Sequence, residues 1–268
     1  MTDRHALGPD WGKGFGRLKG KNALVTGSTR GLGRTMAEWL AREGANIIVS
    51  GRDADDVQAS VAAIEALGVQ VWGIPADLAL VEEAHRLGKE AIAAAGQLDI
   101  LINNAGMSIR GNFWEVPDAD WDYQMNVNVR SPFILGQHAA AQMIERQIRG
   151  RIVNVSTIGV HAGHKNGMVY NIAKAGVEVM TRNMAYELGP YGISVNAVAP
   201  GAVPDKPGSE RHHSLPTTKD GHDLIPFGRY GRAEDIAAAV VFFCLPESEW
   251  TTGQTLLIDG AHISYLQE

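Results

Sequence analysis

Tyr170 and Lys174 stand four residues apart in Tyr170-Asn171-Ile172-Ala173-Lys174, at the start of a stretch spaced as a helix at Ile172, Val177, Met180 and Met184. Positions i and i+4 share a helix face, so a phenol and an ammonium become neighbours. A phenol titrates at about pH 10 and is a poor base at neutrality; a cation within several ångströms favours the phenolate and brings it toward the working range. Such a pair can move a proton onto or off an oxygen. Similar pairs also decorate solvated helices, so its meaning depends on the rest of the chain.

The stretch T-G-S-T-R-G-L-G, Thr26 to Gly33, follows the apolar run Ala23-Leu24-Val25 and opens a segment spaced as a helix at Leu32, Met36 and Leu40. Strand, glycine turn and helix place a phosphate on a helix N-terminus, where open N–H groups and the dipole favour negative charge. Gly27, Gly31 and Gly33 permit the tight turn and the close approach; with Ser28, Thr29, Arg30 and Leu32 they form the expected cradle. The second strand ends Ser50-Gly51-Arg52. A dinucleotide site that prefers NAD carries an acidic residue near this point to hold the ribose. Here Arg52 and Arg30 offer guanidinium groups instead, which suit a 2′-phosphate. The expected cofactor is therefore NADP(H), with NAD(H) second. Asp53 follows directly and can pair with Arg52. Asp77-Leu78 and Asn103-Asn104-Ala105-Gly106 close two further strands, and their small and amide side chains can hold an adenosine and brace neighbouring turns.

The elements that must position these groups are legible as an alternation. Apolar runs at 22–26, 46–50, 69–74, 98–102, 151–156, 193–198 and 254–258 read as strands. Between them lie helical spacings at Val57-Val61-Ile64, at Val81-Ala84-Leu87-Ala91, around Trp121-Met125-Val129, and from Ala233 to Phe243. This predicts an α/β fold: a single-domain, Rossmann-type, doubly wound parallel sheet of about seven strands with helices on both faces. Residues 1–19 read as an N-terminal arm with Trp11 and Phe15 as anchors, and 20–268 as the domain. The irregular segment of roughly 201–225 reads as a lid over the crevice.

Composition narrows the class. The 268 residues are 45% hydrophobic with a formal net charge of −6, which argues against a nucleic-acid surface. No apolar run approaches the roughly 20 residues of a membrane span. The first 20 residues lack an apolar secretory core, and the one cysteine, Cys244, sits among Val241, Phe242, Phe243 and Leu245 as a buried structural thiol. The expected location is the cytoplasm. No histidine, cysteine or carboxylate spacing fits a metal site.

In this order and spacing, T-G-S-T-R-G-L-G, N-N-A-G, Y-N-I-A-K and the Ala199-Pro200-Gly201 turn resemble the short-chain dehydrogenase/reductase family, from about Gly20 to the C-terminus. The resemblance implies hydride transfer between a nicotinamide and a carbonyl or secondary alcohol. It implies Tyr170 as general acid/base and Lys174 as the group that lowers its pKa and holds the nicotinamide ribose. Asn128 corresponds to the asparagine that holds a relay water, with Asn126 one register away. Pro200, Gly201 and Val203 fall in the turn that anchors the nicotinamide. The family serine lies 13 residues before the tyrosine; counting back from Tyr170 reaches Thr157, with Ser156 just before it. Thr157 keeps the hydroxyl but adds a methyl, and Ser156 faces the opposite side if the pleat persists. A second departure is Asp205, where the family often has a threonine that bonds the carboxamide.

Arg110, four residues past N-N-A-G, is placed to clamp a carboxylate or polyol, as in sugar-acid and gluconate reductases of the family. His161 and His164, and His212 and His213 in the lid, can add polar contacts. The expected partner is a small carbonyl or alcohol, possessing polar character such as a sugar, sugar acid or ketoacid. A 3-oxoacyl thioester reductase is the alternative enzyme, and a non-catalytic NADP-binding protein the alternative of another class. The resemblance also implies a homotetramer or homodimer, packed through helices near 120–145 and 168–189 and the last strand, with Leu256-Leu257-Ile258 and the tail His262–Tyr265 at the interface.

Overall fold

Each strand core alternates its side chains between two faces, and the sequence supplies apolar residues for both. The computed structural model describes residues 14–163, 165–204 and 224–264. Seven parallel strands, β1 (Asn22–Thr26), β2 (Asn46–Gly51), β3 (Val71–Pro75), β4 (Ile100–Asn103), β5 (Arg151–Val155), β6 (Ser194–Pro200) and β7 (Thr255–Ile258), form one sheet of order β3-β2-β1-β4-β5-β6-β7. The helices are α1 (Gly31–Arg42), α2 (Ala54–Glu65), α3 (Val81–Ala95), α4 (Asp118–Met125), α5 (Ser131–Glu145), α6 (Met168–Leu188) and α7 (Ala233–Cys244). Ala23, Val25, Ile47 and Val49 pack with Met36, Leu40, Ile64 and Val240 on one face. Leu24, Ile48, Leu101 and Ile152 pack with Leu87, Leu135 and Met143 on the other. The chain winds outward through β3, then returns to place β4 beside β1. The carboxyl ends of β1 and β4 thus flank the topological switch point, where such sheets hold their ligands.

Two details differ from the periodicity. The spacing around Trp121–Val129 predicts one helix; the structure ends α4 at Met125, makes a π turn over Asn126–Arg130, and continues as α5. Pro132 has no N–H to give the Asn128 carbonyl four residues back, which breaks the α ladder there. Of the two expected anchors of the arm, Trp11 lies outside the described residues and Phe15 is 82% exposed. Leu18, buried, and Glu43, which accepts from Phe15 N at 3.0 Å and from the Arg17 guanidinium, hold this segment instead. A carboxylate gathering backbone N–H groups does not register in a hydrophobicity pattern. Most of the expected lid, 205–223, lies outside the described residues.

Candidate active site

The glycine turn begins where β1 ends. Gly27 and Gly31 have φ of +63° and +53°, the left-handed region that glycine enters without strain. A Cβ at Gly27 would stand 3.0 Å from Ala105 Cα, and one at Gly33 would overlap the Gly27 carbonyl and Asn104 Nδ2. At Gly31 nothing lies within 4 Å, so the mouth of α1 stays open. Two polar side chains sew this turn to the turn after β4. Thr26 Oγ1 accepts from Asn104 N and Ala105 N, each at 3.0 Å, and donates to Ile102 O at 3.3 Å. Asn104 Nδ2 donates back to Thr26 O at 2.8 Å and Gly27 O at 3.2 Å. Thr26 had no separate signal in the sequence, because a threonine ending a strand looks like any other.

Ser28 is buried; its Oγ donates to Val25 O at 2.6 Å and accepts from Ser50 N at 3.1 Å, bracing β1 against β2. Arg30, exposed, is the N-cap residue of α1. A Cβ at Gly51 would lie 2.6 Å from Thr29 Cγ2, so the end of β2 must be glycine for Thr29 to approach. Arg52 is exposed and donates to Tyr123 Oη at 3.2 Å. Asp53, a possible partner for Arg52, is instead the N-cap of α2: its Oδ1 accepts from Asp55 N and Asp56 N, each at 2.9 Å. Capping commits Oδ1 to the start of the helix. Asp77 Oδ1 likewise accepts from Ala79 N at 3.0 Å, beside buried Leu78.

On the other side of the switch point, α6 carries Tyr170 and Lys174. Lys174 is buried, its Nζ donates to Val155 O at 2.8 Å, and it lies 5.7 Å from the Tyr170 ring centroid. Burial pulls the Lys174 ammonium down to about 8. It also pushes the Tyr170 phenol above its ordinary value. The direction is opposite to the lowered phenol expected from the i+4 cation, and its cause is desolvation, which disfavours phenolate. Asn128, buried in the π turn, bonds both the loop after β4 and the end of α4. Its Oδ1 accepts from Met107 N at 3.1 Å, and its Nδ2 donates to Met107 O and Gln124 O, each at 2.8 Å. Asn126 Nδ2 reaches Ala79 O at 3.2 Å. A Cβ at Gly106 would come within 3.0 Å of Asn128 Oδ1 and 3.4 Å of Lys174 Nζ. This glycine leaves a cradle between the two, of the kind a sugar or ring can fill.

Past the end of β5 the adjacent hydroxyls part. Ser156 is buried and donates to Glu178 Oε1 at 2.7 Å. Thr157, half-buried and extended (φ −158°), accepts at Oγ1 from Gly159 N at 3.3 Å, which leaves its hydroxyl hydrogen to donate elsewhere. After β6, Gly201 N donates to Ile258 O at 2.9 Å, and a Cβ there would lie 2.7 Å from Asp259 Cα. Pro200 ends the strand and Val203 is half-buried, packed close to Gly231. Arg110 is exposed in a loop held by Ile109 N to Gln124 Oε1 (3.0 Å) and Gly111 N to Asn166 O (3.1 Å). His164, Asp205, His212 and His213 lie outside the described residues. Among the described residues no group of three or more His, Cys, Asp or Glu side chains is arranged to hold a metal ion, and no helix is long and apolar enough to cross a membrane.

A doubly wound parallel sheet with a glycine turn at its switch point is the Rossmann-type arrangement. A family profile described as enoyl-(acyl carrier protein) reductase matches residues 27–261. The chain is 37% identical to the BbsD subunit of (2S)-[(R)-hydroxy(phenyl)methyl]succinyl-CoA dehydrogenase from Thauera aromatica, over 91% of this chain and 96% of that one. It is 34% identical to 2-dehydro-3-deoxy-D-gluconate 5-dehydrogenase from Formosa agariphila, over 91% and 92%. Among solved structures it is similar to a blue fluorescent protein from a metagenomic library in complex with NADPH: TM-score 0.81, 33% identity, covering 92% of this chain and 99% of that one. The chain belongs to the short-chain dehydrogenase/reductase family, whose members bind a nicotinamide cofactor and act on small molecules.

Proposed function

We propose that this protein is an NADP(H)-dependent oxidoreductase that interconverts a carbonyl and a secondary alcohol, with Tyr170 as the general acid/base. The observation that carries the reading is buried Lys174, which lies 5.7 Å from the Tyr170 ring, donates to Val155 O two residues before Thr157, and borders the Gly106 cradle. The glycine turn from Gly27 to Gly33 would hold the pyrophosphate, Asp77, Leu78, Asn104 and Ala105 the adenosine side, and Gly106, Lys174, Pro200, Gly201 and Val203 the nicotinamide side. When bound, the cofactor supplies the hydride at nicotinamide C4. Thr157 donates a hydrogen bond to the substrate oxygen, and Tyr170 gives that oxygen its proton. A phenol kept protonated by burial suits the reducing direction. Lys174 and a water on the Asn128 carbonyl, which lacks its α-helical donor at Pro132, return a proton from solvent.

NADP preference is supported by Arg52, whose bond in the structure goes to Tyr123 while its acidic neighbour caps α2 through Oδ1, and by the NADPH complex of a structural relative. A polar substrate, a sugar acid or ketoacid, is favoured by exposed Arg110 in the loop after β4 and by the sugar-acid relative. The second reading, a 3-oxoacyl thioester reductase, is favoured by the relative named for a succinyl-CoA thioester. We further propose a homodimer or homotetramer in the cytoplasm. A largely apolar groove of about 580 Å3 between α4, α5 and α6, lined by Met125, Val129, Phe133, Val179, Met180 and Met184, supports pairing with a second copy.

The test is Tyr170→Phe with a panel of ketoacids, sugar acids and acetoacetyl-CoA, scored by NADPH and NADH consumption. An enzyme of this kind loses turnover by about 10²–10⁴-fold while NADPH affinity, read by fluorescence, stays within about twofold. Unchanged turnover, or a wild type inactive on every carbonyl yet binding NADPH, would point to the non-catalytic binding protein. Faster oxidation of NADH than of NADPH would overturn the cofactor assignment.

A further inference from the structure

We propose that Glu178 is a positioning residue that fastens the Thr157 turn in register with Tyr170. The inference rests on the role given above to Thr157. Ser156 Oγ donates to Glu178 Oε1 at 2.7 Å, and His161 Nε2 lies 3.1 Å from the same oxygen. A carboxylate oxygen only accepts, so His161 Nε2 carries the proton in this contact. The two donors bracket Thr157, one residue before it and four after. Both ends of the turn therefore converge on a single oxygen of α6.

Local geometry explains how this reaches Thr157. Ser156 N still belongs to the sheet, donating to Val198 O at 2.7 Å. With its side chain committed to α6, Ser156 fixes the backbone from which Thr157 continues in extended conformation (φ −158°). The chain then makes a single 3₁₀ turn, Ile158–Val160, before His161 returns to Glu178. Within that turn, Gly159 N reaches Thr157 Oγ1, Val160 N reaches Thr157 O, and His161 N reaches Ile158 O. The side chain of Glu178 is 6% exposed, so water competes poorly for these bonds. Tyr170, Lys174 and Glu178 recur at intervals of four on one face of α6. The helix that carries the acid/base thus also carries the anchor for the group that must meet it at the substrate oxygen. A displacement of about 1 Å between such partners costs about 10²-fold in rate.

The experiment compares Glu178→Leu, Glu178→Gln, Ser156→Ala, Thr157→Val and the double variant Thr157→Val/Glu178→Leu. Amide hydrogen exchange over 157–163 is read in the protein without cofactor or substrate, and kcat and KM with the best carbonyl of the panel. Glu178→Leu should speed exchange at Gly159 and His161 by about tenfold or more and lower kcat by about tenfold, with KM for NADPH within about twofold. Glu178→Gln keeps an acceptor oxygen and should recover most of both. Ser156→Ala, which removes one donor and leaves the carboxylate, should lie between, and it carries the test should the leucine variant not fold. In the Thr157→Val background, Glu178→Leu should cost little more, because the two act on one hydroxyl.

Unchanged exchange and kcat in Glu178→Leu, failure of the glutamine to rescue, or losses that multiply in the double variant would overturn the proposal. Full activity of Thr157→Val would instead sink the role of Thr157, and the exchange data would then decide the fastening alone.

Discussion

The two halves of the cleft are held together by different means. On the proposed cofactor side, the turns after β1 and β4 bond directly to each other through Thr26 and Asn104, and their backbones touch where glycines 27 and 33 allow it. On the proposed substrate side, the loops after β4 and β5 hang from helices, through Gln124 and Asn128 for the first and Glu178 for the second. Turns on adjacent parallel strands are placed by the sheet itself. Loops tethered by side chains can change length and sequence while the tethers stay. One fold can therefore keep a single dinucleotide site and accept many substrates.

If that contrast is right, the cofactor side should fail abruptly when its backbone contacts are disturbed. Gly33→Ala puts a Cβ onto the Gly27 carbonyl and Asn104 Nδ2, one of them backbone that cannot yield. The expected result is loss of measurable NADPH binding, with a melting temperature lowered by more than about 5 °C, as overpacking costs about 1–3 kcal/mol or more. Wild-type affinity in this variant would break the comparison at its strongest point. Thr26→Val comes next. It leaves Ala105 N without its acceptor, at about 1–3 kcal/mol, and leaves Asn104 N with Ile102 O alone, at 3.1 Å. Urea denaturation should register this, and the NADPH dissociation constant should rise with it.

Arg52→Ala should sharpen the comparison without disturbing the fold. A charged hydrogen bond to phosphate is worth about 1.5–3 kcal/mol, so NADPH affinity should fall by about 10–100-fold while NADH affinity and melting temperature hold. Equal losses for both nucleotides would show that Arg52 does not read the 2′-phosphate.

The smallest effect tests Lys174, which belongs to both halves. Its folded pKa of about 8 lies below the ordinary 10.5. Between these values the unfolded chain binds more protons than the folded one, so stability from this group rises with pH across that window. Below about 8 the cost of burying the ammonium is present in full. Relative to Lys174→Met, the wild type should be most handicapped near pH 7, and the gap in melting temperature should narrow toward pH 10. A gap independent of pH would mean the ammonium is not desolvated. Turnover of the methionine variant should be lost at every pH.

The local arrangements were largely legible in the amino-acid order. Strand, glycine turn and helix announce themselves by apolar runs and by glycines where no other residue fits the backbone, and the Tyr170–Lys174 spacing follows from the pitch of a helix. The seven strands consequently lie within two residues of where the apolar runs begin and end. What the order of residues could not decide was which distant groups meet. Asp53 looked like a partner for Arg52 until the start of α2 claimed it as a cap. The phenol of Tyr170 looked destined for a lowered pKa, yet burial raises it, because desolvation depends on everything packed around the ring rather than on the residue four places on. Gln124 and Glu178 gave no signal at all, and Thr26 none beyond opening the glycine motif. Their work is to satisfy backbone and side-chain donors brought close only when the sheet has formed, and periodicity carries no record of that. The sequence thus determined the elements and the chemistry they can present; tertiary structure decided the partners, since hydrogen bonding and desolvation act between residues that the chain brings together from far apart.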